Sequence, residues 1–291
     1  NLSQASDEEI AAIKFALKHK KNIKNLISLP QNVTTKQGLA IGAVWVFAQL
    51  AKRLGITKAL GTSREGKLSL WLVMAALIGQ GSRLSAVRLA QRHTVCDVLN
   101  LKAFNEDDLY QAMDWLAAHQ HNVEQSLFAH RYADKKKTPA LYLYDATSSY
   151  LEGTQNELGA FGHCKDKKKG KMQIVIGLLT DEAGWPISVE VFKGNTQDPQ
   201  TVGDQITALA ERFGVENVIF VGDRGMLKSG QIEALHDQQF RYITAITKAQ
   251  VKKLIREEVL SLSLFDDTLC EVLLCEDDAP NKPIRYILRR N

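Results

Sequence analysis

Cysteine is scarce in this chain, with four residues (Cys96, Cys164, Cys270 and Cys275) among 291. Even the nearest two have four residues between them, and no second pair completes a site. This spacing argues against a zinc ribbon or a disulfide framework, and reduced intracellular thiols are the expectation. Long apolar runs are also missing. The richest window, LWLVMAALIG at 70–79, is far shorter than a membrane span, so it reads as a core helix. No signal peptide is visible, and no membrane partner is expected. Charge of one sign is not in large excess: the net charge is +4 and the pI near 8.7. A polyanionic partner is permitted but not demanded. The chain opens at Asn1 rather than methionine and closes at Asn291 in a strand-like run, RYILRR. Both ends look cut, and a fragment truncated at its C-terminus is expected.

What is present divides by period. Hydrophobic residues make up 45% and charged residues 24%, enough for a sizeable core in one large domain or two ordinary ones. Residues 1–133 read as an all-α region with no visible catalytic cluster. Thr34 and Gln37 form a capping-box pattern before GLAIGAVWVFAQLAKRLGI. The next helical stretch is expected to break or bend around Gly79 and Gly81. Asn105 then caps EDDLYQAMDWLAAHQHNVEQSLFAHRY, in which Leu109, Met113 and Leu116 share a face. The spacing of His119 and His121 does not place them on one face, which argues against a metal site there.

After a polar joint, KKKTP at 135–139, strands alternate with helices. LYLYD is a strand, and KMQIVIGLLTDEAGWPISVEVF is a hairpin turning at Asp181 to Gly184. DPQTVGDQITALAERFG is a helix capped by Asp198 and ended by Gly214, with Val202, Ile206, Leu209 and Phe213 on one face. NVIFVGD, SGQIEALHDQQ and FRYITAI complete the alternation as strand, helix and strand. A mixed sheet with its first strand central accounts for this order, the fourth strand joining the first in parallel through a helical crossover.

Two of these strands raise a chemical question. Leu141 to Tyr144 is an apolar run consistent with a strand covered on both faces, and Asp145 stands at its end. NVIFVG repeats the design and ends in Asp223. Each aspartate could simply cap a turn, as Asp-x-Gly sequences commonly do. Their matched placement favours a shared site instead. Carboxylates without a cationic partner suit a metal, and hard oxygens without His or Cys favour Mg²⁺ or Mn²⁺. A pair of such ions roughly 4 Å apart supports phosphodiester displacement.

YDATSSYLEG, the basic loop FGHCKDKKKGKMQIVIGLLTDEAGWPISVEVFKGNTQD and FVGDRGM, in this order, resemble the DDE-class bacterial insertion-sequence transposases. The likeness extends upstream to LYQAMDWL and LGITKAL. It implies an α/β fold: an RNase H-like mixed-sheet catalytic core at 140–264, preceded by the all-α region. Residues 265–291 would begin a β insertion. It further implies that Asp145 and Asp223 are the first and second metal-ligating catalytic acids, holding two Mg²⁺ or Mn²⁺ ions. The family's third acid, a Glu on a helix after the insertion, has no match before Asn291.

The activity implied is metal-dependent DNA cleavage and strand transfer at insertion-sequence ends. The partners implied are those ends, target DNA and a second copy of the chain, in a bacterial cytoplasm at the nucleoid. A structure-specific nuclease of the same fold, or a catalytically dead DNA-binding remnant, are the rival readings. Lys165, Lys167, Lys168, Lys169 and Lys171 are candidates for DNA phosphate contacts, or form a solvated loop. Arg224 is a DNA contact or a turn holder. Asn195 and Asp198, in the GN-T-x-D segment, are supporting residues.

Overall fold

A computed structural model describes residues 5–20, 37–133, 138–162, 170–216, 218–260, 270–274 and 284–288. The helical region holds α1 (Asp7–Lys18), α2 (Gly42–Arg53), α3 (Ile56–Leu60), α4 (Arg64–Gly79), α5 (Arg83–Ala90), α6 (Val95–Leu99) and α7 (Glu106–Arg131). The capping pattern at Thr34 falls outside the described residues. The helix expected after it begins only at Gly42, with Ile41 at the cap and no side chain bonding its first turn.

Helix α4 starts where Ser63 Oγ accepts from Gly66 N–H, and it stops at Gln80, which is left-handed with φ +44°. A bend of 90° separates it from α5, as the two glycines suggested. Trp71 and Met74 of α4 are buried, and Trp71 Nε1 donates to Ala86 O of α5. Ser69 Oγ reaches Ala112 O of α7 (3.2 Å), so the three helices interlock. Burying each large side chain here contributes roughly 1.5–3 kcal/mol. In α7 the expected Asn105 capping box forms with Asp108. Its buried face carries Leu109 and Ala112, whereas Met113 is exposed, because the helix presents a narrower stripe than the apolar spacing implied. No single helix among the described residues is long and apolar enough to cross a membrane.

The second region is built on β1 (Leu141–Tyr150), β2 (Gln173–Asp181), β3 (Pro186–Lys193), β4 (Ile219–Gly222) and β5 (Arg241–Thr244), in the order β3-β2-β1-β4-β5. Strand β1 is central. It pairs antiparallel with β2 and parallel with β4, and β5 extends the parallel side. This is the RNase H-like arrangement. Between β3 and β4 run α8 (Asp198–Thr207) and a π-helical turn, Ala208–Arg212. Helix α9 (Ser229–Asp237) joins β4 to β5. Gln197, not Asp198, is the residue at the start of α8; Asp198 is its first helical residue, still suited to the positive helix end. The π turn closes with Phe213 N–H donating to Ala208 O, and Gly214 follows at φ +61°. Val202, Ile206 and Leu209 are buried, with Phe213 packed against the same core as Tyr142, Tyr144 and Phe220.

Two further elements complete the described chain. Helix α10 (Lys248–Arg256) carries a Thr247–Gln250 capping box that the sequence reading overlooked. Strands β6 (Cys270–Leu274) and β7 (Ile284–Leu288) pair antiparallel in a separate two-stranded sheet. The DDAPNKP turn between them lies outside the described residues.

Candidate active site

Strand β1 is not covered on both faces. Its side chains alternate: Tyr142, Tyr144, Ala146 and Ser148 are buried, while Leu143, Asp145, Thr147 and Ser149 are exposed. Asp145 is also not at the strand's end. The hydroxyl-rich continuation keeps pairing with β2 as far as Tyr150↔Gln173, which a local reading of an apolar run could not anticipate. The parallel partner does stop early, however. The last β1–β4 pair is Tyr144↔Gly222, so Asp145 and Asp223 are the next residues along two neighbouring strands. Parallel neighbours lie about 4.8 Å apart.

Both aspartates line one shallow depression of about 400 Å³, on the sheet face opposite the helices, with Leu143, Leu178, Thr180 and Val221 around them. Asp145 Oδ1 accepts from Ala146 N–H at 2.8 Å. Asp223 Oδ1 accepts from Arg224 N–H at 2.6 Å, and its carbonyl accepts from Met226 N–H and Thr244 Oγ1. The turn after β4 is thus held by one backbone bond and two that involve a side-chain oxygen. Among the described residues neither carboxylate has an ion-pair partner. Two exposed carboxylates side by side, with apolar neighbours and no counter-cation, fit the hard-oxygen donor set of Mg²⁺ or Mn²⁺. They make only part of a ligand set, since no group of three His, Cys, Asp or Glu gathers among the described residues.

The family model described as "Transposase DDE domain" matches residues 136–284, half of the chain. The chain belongs to the DDE transposases. Both aspartates of this transposase fall inside the match. Among solved structures, the Mos1 transposase paired-end complex with left transposon end is 9% identical at a TM-score of 0.27, covering 88% of this chain and 81% of that one. The piggyBac transposase synaptic complex with hairpin DNA is 13% identical at 0.36, covering 97% and 58%. Superpositions this loose add nothing to the family match. No curated protein sequence matches the chain.

The remaining candidates do not gather around the aspartates. Lys165, Lys167, Lys168 and Lys169 lie outside the described residues. Lys171 is paired with Glu152 (2.6 Å). Asn195, Asp198 and Arg224 share a second recess of about 540 Å³, beyond the end of β4 and beside the start of α8. Lys228, Phe161 and Gln173 line it too, and sequence reasoning passed over all three. Lys228 sits where helix α9 starts, a position legible from KSGQIEAL, but Phe161 and Gln173 are brought there only by pairing of distant segments. The histidines of α7 hold structure: His119 Nδ1 contacts Trp115 O, and His121 Nε2 meets Arg212.

Proposed function

We propose that this transposase cleaves DNA at the ends of its element and joins the freed strand to target DNA, with Asp145 and Asp223 holding Mg²⁺ or Mn²⁺. The observation that carries this reading is the register. Two aspartates from separate strands are consecutive to the last parallel pair and share one depression. A bound ion would make water or a 3′-hydroxyl a better nucleophile and stabilise the departing oxygen. In cleavage the water oxygen bonds to phosphorus and the 3′ oxygen leaves. In transfer that 3′-hydroxyl attacks a target phosphodiester, so bonds are exchanged one for one. The chain's own residues position the carboxylates: the antiparallel β1–β2 ladder holds Asp145, and the bonded turn after Gly222 holds Asp223.

The basic run Lys165 to Lys171 and Arg224 are assigned to phosphate contacts, a sequence-independent contribution that weakens with salt. The helical region, residues 1–133, is assigned to end recognition or to pairing of two copies, and residues 140–264 to the catalytic core. Support for the first division comes from two separate apolar clusters, one around Trp71 and one around Phe220.

The test is Mn²⁺ binding followed by calorimetry on the wild-type chain and on Asp145→Asn and Asp223→Asn. Loss of at least tenfold in affinity in each variant is expected. Unchanged binding in both would refute the site. Strand-transfer products from an end-containing substrate separate a transposase reaction from plain hydrolysis.

A further inference from the structure

The two site aspartates are not held equally well. Asp145 lies inside the β1–β2 ladder, opposite Leu178, with Tyr144↔Leu179 and Ala146↔Gly177 paired on either side of it. Backbone pairing fixes its place from both flanks. Asp223 lacks that support. The last pair of β4 is Tyr144↔Gly222 on one side and Gly222↔Thr244 on the other, so both ladders end one residue before it. A turn follows, in which Met226 N–H donates to Asp223 O at 3.1 Å and Gly225 is left-handed at φ +82°. Met226 and Leu227 are buried and anchor the far end of the turn. Asp223 Oδ1 accepts from the next amide along, Arg224 N–H, so the aim of the carboxylate follows the main chain. A metal ligand must hold its place to within about 0.5 Å.

One side chain crosses from the neighbouring strand. Thr244 Oγ1 donates to Asp223 O at 3.3 Å. That bond continues the β4–β5 pairing by one residue where the backbone ladder has stopped, and it gives the Asp223 carbonyl a second donor. Thr244 lines neither recess, so its effect on a bound ion passes through the main chain of Asp223. Threonine is also a favoured strand residue, but valine would meet that preference equally well. The hydroxyl is what valine lacks.

We propose that Thr244 is a positioning residue for the second carboxylate. Its hydroxyl fixes the main chain of Asp223, and thereby the aim of that side chain into the depression shared with Asp145. This inference rests on the metal reading of the two aspartates and goes beyond it, to a residue of β5 outside the depression.

The experiment compares the wild-type 291-residue chain with Thr244→Val and Thr244→Ser, below the melting temperature of each. Two readouts are taken: amide exchange at Met226 in EDTA, and Mn²⁺ affinity by calorimetry. Thr244→Val should speed exchange at Met226 and weaken Mn²⁺ binding by about threefold to fivefold, no more than one neutral hydrogen bond supplies. Thr244→Ser keeps the hydroxyl and should restore both. Thr207→Val serves as the control, since it removes a bond of the same kind, Thr207 Oγ1 to Gly203 O at 3.2 Å, from α8. It should leave both readouts at their wild-type values. Wild-type Mn²⁺ affinity in Thr244→Val, or an equal loss in Thr244→Ser or in the control, would overturn the proposal. Unchanged exchange at Met226 in Thr244→Val would refute it without touching the metal site. A wild type that binds no Mn²⁺ would refute the metal reading itself, and this proposal with it.

Discussion

Arg212 Nη1 lies 2.7 Å from Glu124 Oε2, joining the π-helical turn after α8 to helix α7. The same guanidinium reaches Glu190 of β3 (3.2 Å), Ser188 Oγ and His121 Nε2. Glu124 in turn accepts from Val189 N–H and Ser188 Oγ. Arg212 and Glu124 side chains are 17% and 11% exposed, so solvent screens this bridge less than a surface pair. Helix α7 is thereby clamped to the edge strand of the sheet.

Removing the two partners should not be equivalent. Arg212→Met takes from Glu124 and Glu190 the guanidinium they share, and a loss of about 3 kcal/mol is expected. Glu124→Gln leaves Arg212 its second carboxylate and should cost about 1–2 kcal/mol. Urea unfolding of both variants and of the double variant measures the difference. Equal costs would mean that the clamp is not organised around the arginine.

Asp181 makes a second link between the regions. It accepts from Tyr132 Oη (2.5 Å), from Arg131, and from the N–H groups of Ala183 and Trp185 in the hairpin turn. Burial pushes its carboxyl up, but the Tyr132, Trp185, Arg131 and Ala183 bonds outweigh that and hold it below the usual carboxylate range. Burial and the bond to Asp181 push Tyr132 up to about 12. The folded pKa of Asp181 is depressed, so its stabilisation is present above about pH 4 and is lost as pH falls through the folded value. For Tyr132 the raised value gives stabilisation that is present below pH 10 and lost towards about 12. Asp181→Asn should flatten the acid limb of a stability–pH curve, and Tyr132→Phe the alkaline limb. Curves parallel to wild type would contradict both.

Gly194 is required for a different reason. A Cβ there would stand 1.9 Å from Gln173 O and 2.6 Å from Ala160 O, both backbone atoms. Gly194→Ala should therefore displace the wall of the second recess and cost about 1–3 kcal/mol. Gly203, inside α8, has nothing within 4 Å of the same position. Gly203→Ala should stabilise the helix by up to about 1 kcal/mol. Thermal melts of the pair should shift in opposite directions.

Asp145 and Asp223 are like charges on neighbouring strands, each following the last β1–β4 pair. Asp145→Asn and Asp223→Asn should each raise the melting temperature slightly in EDTA, by the equivalent of about 0.5 kcal/mol. Added Mn²⁺ should raise that of the wild type and leave the variants where they are. A wild-type melt insensitive to millimolar Mn²⁺ would count against the metal reading.

Local signals in the sequence decided much of this molecule. Asn105 and the glycines at 79 and 81 placed helix boundaries, because capping and backbone conformation depend on a few neighbouring residues. A central β1 accounts for the order of strands and helices after residue 140, because parallel neighbours need a crossover connection. The aspartates announced themselves as charge where apolar runs end. Tertiary structure alone decided the rest. The continuation of β1 past Asp145 depends on β2 pairing with Thr147 to Tyr150, where Ser148 and Ser149 bring no strand preference of their own. Which face stays open depends on where the helices pack, and the alternation in β1 carries that information only once its partners are known. Phe161, Gln173 and Arg224 share a recess because three distant segments close on one another. Short-range patterns are set by a residue and its neighbours, whereas a recess is made by contacts that no local pattern encodes.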